Sequence, residues 1–172
     1  GDVPRSFDQV VMACHADQSL RLLADASPAE QSALGAIRFQ DNHTVLHRDP
    51  AFMPERRRCW ASWIYRTEAG MPADAPVGVT YWMNRLQNIP QDDPLFITLN
   101  PHRPIRDDLI FDTVTFRHPI FDAAALAAQR AVDTLQGERQ TWFAGAWLRN
   151  GFHEDGFASA VRIAQRLTPV MA

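Results

Sequence analysis

The apolar positions change their period several times along the chain. Residues 7–14, FDQVVMAC, hold a short apolar run centred on Val10, Val11 and Met12, which predicts a buried strand. HADQSLRLLAD then switches to helical spacing, with Leu20, Leu22 and Leu23 apolar and Asp17 or Ser19 able to cap. SPAEQSALGAI (27–37) predicts a second helix, with Ser27 as N-cap, Pro28 in the first turn and Glu30 three residues after the cap. The middle of the chain reads as strands: NHTVLHRD (42–49), CWASWIYR (59–66), VGVTYWMN (77–84), LFITLN (95–100) and IFDTVTFRH (110–118). They are rich in Val, Ile, Thr and aromatics and are separated by Pro, Asp and Gly. Connections such as TEAGMPADAP favour hairpins, so a mixed or antiparallel sheet is expected. The helical period returns in FDAAALAAQRAVDTLQG, from an Asp122 cap to a Gly137 stop. TWFAGAWL predicts a buried strand. The last helix is expected from about Glu154 to Leu167, with Phe157, Val161 and Ala164 on one face and Ala160, Ile163 and Leu167 alongside.

This order predicts an α+β, or mixed α/β, chain. The first and last strand–helix pairs look like pieces of one parallel-sheet unit, and the central, largely antiparallel sheet looks inserted between them. None of the eight glycines forms G-x-G-x-x-G.

Composition narrows the function. At 172 residues and 46% hydrophobic, the chain can bury a real core and is not a disordered segment. A net charge of -3 carries no electrostatic footprint for nucleic acid. No uncharged apolar stretch approaches the roughly 20 residues of a membrane span, and the start lacks the basic-then-apolar pattern of a leader. Two cysteines are too few for a disulfide scaffold, so reduced thiols in a cytoplasmic protein are expected. All seventeen basic residues are Arg. The missing Lys excludes a pyridoxal-phosphate Schiff base or a phosphate-loop lysine supplied by this chain.

GFHEDG (151–156) sets three titratable side chains between two glycines at the expected start of the last helix. Its glycine spacing is that of a phosphate loop, but Phe157 stands where Lys is required. His153, Glu154 and Asp155 are adjacent, so their side chains diverge around a turn, whereas a metal needs convergent ligands. Acidic residues at a helix start also cap free amides and oppose the positive dipole end. Flanking glycines further allow backbone amides to approach an electron-rich ligand edge, such as the pyrimidine side of a reduced flavin. No metal site is expected, and no side chain is a convincing general base.

Elsewhere, VGVTYWMN points Val79, Tyr81 and Met83 one way and Thr80, Trp82 and Asn84 the other. Either these are two buried sheet faces, or one face floors an apolar substrate cavity, with Tyr81 and Trp82 near the substrate and Asn84 as a polar guide. Trp60 and Trp63 fall on opposite strand faces, so at most one lines that cavity. His43 and His47 share a face but stand roughly 13 Å apart along the backbone, too far for one ion. They are expected to be surface or hydrogen-bonded histidines. ERRR (55–58) reads as a solvated charge run and Cys14 as a core thiol.

Five phrases in order, LHRDPAFMPERRRCWASW, VTYWMNRLQ, ITLNP, HPIFD and GFHEDG, together with the tail TWFAGAWLRNGFHEDGFASAVRIAQRL, resemble the flavin-containing amine oxidase superfamily. A closer likeness is to a bacterial branch described as predicted NAD/FAD-binding proteins, and it covers nearly the whole chain. The resemblance implies a substrate-domain-like sheet (27–137) between a strand–helix piece (1–26) and a strand–loop–helix piece (138–172) of an FAD-binding domain. The N-terminal dinucleotide-binding βαβ unit of that family has no counterpart here. By the same resemblance, Gly145 and Ala146 match strand-end positions near the ribityl and pyrophosphate of FAD, and Gly151, Phe152, His153, Glu154, Asp155 and Gly156 match the loop and helix start beneath the flavin. Ala146 replaces an acidic residue common in the family, and the family's usual small pair appears as Ser159–Ala160, with Ala where Gly is common. The family's active-site Lys is missing. The implied function is that of the C-terminal part of an FAD-dependent oxidoreductase acting on an apolar or amine substrate, with FAD held weakly or not at all by this part alone. The alternative is a non-catalytic ligand- or protein-binding module of the same fold. In either case exposed strand edges favour self-association.

Overall fold

The computed structural model describes residues 3–66 and 77–167. The chain forms two compact units: residues 1–40 with 119–172, and Asp41–His118. Among the described residues, seven strands and five α-helices are joined by short 3-10 turns, giving the mixed α and β architecture expected from the sequence.

The second unit is built on a five-stranded sheet. Its strands are β2 (Phe39–His47), β3 (Trp63–Arg66), β4 (Gly78–Trp82), β5 (Phe96–Leu99) and β6 (Ile110–Pro119), in the order β3-β4-β5-β2-β6. β3 pairs antiparallel with β4, β4 with β5 and β5 with β2. The register sets Trp82 opposite Phe96 and Thr80 opposite Thr98. Met53, Trp82 and Phe96 form one apolar cluster, and Val45, Phe52 and Ile105 another. Two strand expectations are corrected at their ends. CWASWIYR is strand only from Trp63, since Cys59 closes a 3-10 turn, and a short helix, α3 (Met83–Leu86), begins where strand alternation was expected to continue. The connection TEAGMPADAP lies outside the described residues.

The first unit holds β1 (Val10–Met12) and β7 (Thr141–Phe143), paired parallel with Val10 opposite Thr141 and Met12 opposite Phe143. Around them lie α1 (Ala16–Leu22), α2 (Pro28–Gly35), α4 (Ala123–Leu135) and α5 (His153–Leu167). Ala16, Leu34, Ile37, Ala128, Val132, Phe143 and Trp147 belong to its main core. α2 begins as expected: Ser27 Oγ accepts the Glu30 amide at 3.2 Å and Glu30 accepts the Ser27 amide at 2.7 Å. Asp122 accepts the Ala125 amide at 2.8 Å at the start of α4, and Gly137 follows that helix at φ +85°.

Four expectations for this unit are corrected. Val10 and Val11 are 39% and 43% exposed, because their sheet has only two strands. The N-cap of α1 is His15, not Asp17 or Ser19, because the helix starts three residues after β1 ends. Asp17 falls in its first turn and pairs with Arg21 at 2.9 Å, while Ser19 is buried with Oγ 3.3 Å from Cys14 Sγ. TWFAGAWL is strand only over Thr141–Phe143, and a 3-10 turn takes over at Ala146–Leu148. α5 buries Asp155, Ser159 and Ile163, spaced four apart, while Phe157, Ala160, Ala164 and Leu167 are exposed. Its buried face is partly polar because Asp155 caps the loop before the helix and Ser159 ties the helix to Gly145, just past β7.

Candidate functional site

The site grows from the way β7 ends. Phe143 exchanges two hydrogen bonds with the Gln136 side chain: its amide donates to Oε1 at 2.9 Å and its carbonyl accepts from Nε2 at 2.7 Å. Gly137 donates to the Thr141 carbonyl at 2.9 Å. The edge of β7 facing away from β1 is therefore occupied by the end of α4, as a neighbouring strand would occupy it. On the other side, the Ala144 amide donates to the Met12 carbonyl at 3.0 Å, which carries the pairing with β1 to the strand ends.

Gly145 follows, at the carboxyl end of β7. A Cβ there would lie 2.3 Å from Trp147 Nε1. That indole is held in place, since it is buried and donates to the Cys14 carbonyl at 3.0 Å. No side chain fits at 145 unless the tryptophan moves. The loop at 147–149 is clamped by Gln129, whose Nε2 donates to the carbonyls of Trp147 and Arg149 at 2.9 and 2.7 Å.

The two segments singled out in the sequence meet here. The Gly151 amide donates to the Ala146 carbonyl at 3.1 Å, and Gly156 faces Ala146 at ordinary contact distance. Gly151 has φ +91°, and a Cβ on it would stand 3.1 Å from the Phe121 ring. Conformation and space both select glycine there.

Asp155 and Glu154 differ sharply. Asp155 is buried, and its Oδ2 accepts the amides of Phe152 at 3.0 Å and Asn150 at 3.2 Å. Its other oxygen lies 3.8 Å from Arg149 Nε. Phe152, His153 and Glu154 are exposed. The Asp155 and Gly156 amides donate to the Phe152 carbonyl. This leaves the amides of His153 and Glu154 as the first-turn donors without an intrahelical acceptor. Sequence reasoning missed Ser159. Its Oγ donates to the Gly156 carbonyl at 2.6 Å and accepts the Gly145 amide at 3.0 Å, pinning the strand end to the helix. The signal available was a serine one turn inside a helix start, where only small size was read.

The remaining candidates lie in the second unit. Trp82 is buried against Trp60, ring centroids 5.1 Å apart, and its Nε1 has no hydrogen-bond partner among the described residues. Trp63, by contrast, is exposed. Tyr81 is half-buried, and burial raises its hydroxyl pKa above the usual value. Asn84 is buried and spends its amide on backbone: Nδ2 donates to the carbonyls of Pro90 and Asp93, and Oδ1 accepts the Leu95 amide at 2.6 Å. It clamps the loop before β5. Of the two histidines, His43 is exposed and His47 is wholly buried. Among the described residues, no three of His, Cys, Asp and Glu form a group able to hold a metal ion, and no helix is long and apolar enough to cross a membrane.

No family model matches the chain, and a search of curated proteins finds no match either. The resemblance to flavin-containing amine oxidases therefore rests on the sequence motifs alone.

Proposed function

We propose that this chain is the substrate-domain and flavin-facing part of an FAD-dependent oxidoreductase related to the amine oxidases. One observation carries the reading: a parallel strand pair closed along the outer edge of β7, with no strand beyond β1 among the described residues and with apolar side chains uncovered on the faces of β1. Parallel sheets are almost always covered on both faces and larger than two strands. The end of α4 occupies the outer edge of β7, so a further strand would join beyond β1, and the exposed Val10 and Val11 side chains leave the faces of β1 to be covered. A dinucleotide-binding βαβ unit supplies parallel strands of that kind, and ligands of such sheets bind beyond the carboxyl ends of the strands. Gly145, Ala146 and the start of α5 lie at that end of β7.

The residues present fit the pyrimidine edge of a flavin. Two first-turn amides, on the exposed residues His153 and Glu154, remain as donors, while Gly145 and Gly156 let the strand end and the helix start pack closely beneath them. Asp155 and Ser159 hold this surface rigid. When bound, flavin supplies the hydride acceptor. The chain's own share is to position the ring edge and the substrate. An apolar or amine substrate suits the aromatic residues of the second unit. A protein-binding module is the second reading, and the open apolar edge of β1 favours it.

The experiment is to read the gene upstream in the same frame and to purify the longer product. The flavin reading expects a strand–G-x-G-x-x-G–helix segment and a yellow protein with stoichiometric FAD, which Gly156→Arg depletes by at least about tenfold in affinity. A colourless longer product, or a start codon at this chain's own beginning with no flavin bound, overturns it.

A further inference from the structure

We propose that the second unit binds a small monocarboxylate with an apolar body, in the cavity between the 50–55 turn, β3 and Arg103. The cavity measures about 460 Å³, within the range of roughly 300–1,000 Å³ usual for small-molecule sites. Phe52 and Met53, both buried, and Ile64 of β3 give it apolar walls. Arg66 and Arg103 also line it.

Both guanidiniums reach the same backbone oxygen. Arg103 Nη2 donates to the Ala51 carbonyl, and Arg66 Nη1 approaches that oxygen at 3.5 Å. Arg103 is further held with its guanidinium 5.1 Å from the centroid of the Phe52 ring. Two cations thus lie a few ångströms apart with only an uncharged carbonyl between them. Among the described residues neither arginine is paired with a carboxylate. Each guanidinium has five N–H donors, and one shared carbonyl leaves most of them facing solvent, where a ligand can take them up. A carboxylate is the anion whose geometry matches that fork.

Glu55 decides the charge of the ligand. It lines the same cavity, so two guanidiniums and one carboxylate leave a single positive charge to neutralise. A monoanion balances it, whereas a dianion meets the repulsion of Glu55. The apolar walls take the rest of the ligand. This assignment concerns the second unit alone and does not rest on the flavin reading.

The test is calorimetric titration of the full chain with octanoate, octanol and inorganic phosphate. Octanoate is expected to bind saturably at one site, and octanol and phosphate at least about tenfold more weakly. Arg66→Gln and Arg103→Gln are each expected to weaken octanoate about tenfold. Arg106→Gln, which removes only a surface pair with Asp108, leaves it unchanged. Arg103→Gln also removes a brace of the 50–55 turn, so thermal melting accompanies each variant. Arg66→Gln keeps the test open if Arg103→Gln melts early. Octanol or phosphate binding as tightly as octanoate, or folded Arg66→Gln binding octanoate like the wild type, overturns the proposal.

Discussion

His47 lies wholly inside the second unit with both ring nitrogens in use. Nδ1 accepts the Asp49 amide at 3.1 Å, so Nε2 carries the hydrogen and donates to Thr98 Oγ1 at 2.7 Å. The Thr98 hydroxyl is then free to donate to Thr80 Oγ1, 2.9 Å away. This chain of three side chains needs a neutral imidazole. Burial lowers the His47 pKa from 6.5 to about 4, with the Asp49 carboxylate opposing in part. In the unfolded chain His47 takes up its proton near the usual value, so between those two pH values the unfolded state binds more protons. Stability is therefore full above about pH 6.5 and falls as the pH drops toward 4. A shift of this size corresponds to about 3 kcal/mol. Asp122, held below the usual carboxylate range first by the Arg38 hydrogen bond, loses its contribution only further into acid. Urea unfolding at a series of pH values is expected to show the fall, and His47→Gln to flatten it between pH 4 and 6.5. An equally steep profile in the variant would place the acid sensitivity elsewhere.

The start of α5 divides its labour between two neighbouring carboxylates. Asp155 accepts two amides from inside the turn, and Glu154 faces solvent. Asp155→Ala leaves two partly buried donors unpaired and is expected to cost about 1–3 kcal/mol. Glu154→Ala is expected to change stability by less than about 0.5 kcal/mol. Equal losses in the two variants, measured by chemical denaturation, would contradict this division. The sequence showed that the motif caps a helix but not which acid does the capping. That choice depends on Gly151 turning back at positive φ to bring the Asn150 and Phe152 amides over position 155. Local signals elsewhere were fully readable. Ser27, Pro28 and Glu30 define the start of α2 within four residues, and Asp122 and Gly137 bound α4. The faces of β1 and α5 were not readable, because burial depends on what stands opposite in space. Val10 and Val11 have the composition of core residues but no covering layer, and α5 turns Ser159 inward and Phe157 outward to bond the end of β7. Asn84 likewise looked like a residue facing a cavity until a helix at Met83 broke the strand alternation.

Both units leave strand backbone open to solvent. In the first, the free edge is that of β1, three residues long. In the second, β6 is an edge strand of ten residues, exposed from Phe111 to His118, with Phe111, Val114 and Phe116 all on the surface. Long apolar edges are templates for pairing with another chain, and proteins ordinarily blunt them with charge, Pro or a bulge. Arg48, whose guanidinium lies 5.2 Å from the centroid of the Phe111 ring, and Arg117, paired with Asp41 at 3.2 Å, guard the ends of β6. Val114 lies near its middle and is exposed. The chain is therefore expected to self-associate with rising concentration in sedimentation velocity. Val114→Lys places a charge on the longer edge and is expected to weaken association about tenfold, equivalent to about 1.4 kcal/mol. Val11→Lys tests the shorter edge, and its effect separates the two readings of the first unit. If the missing neighbour of β1 is a dinucleotide-binding unit, Val11→Lys reduces association of this chain alone and lowers flavin content in the longer protein. If β1 is an edge that only protein partners use, the substitution changes association in both and leaves flavin untouched. A monomer at every concentration, in the wild type as in both variants, would show that neither edge is sticky enough to matter.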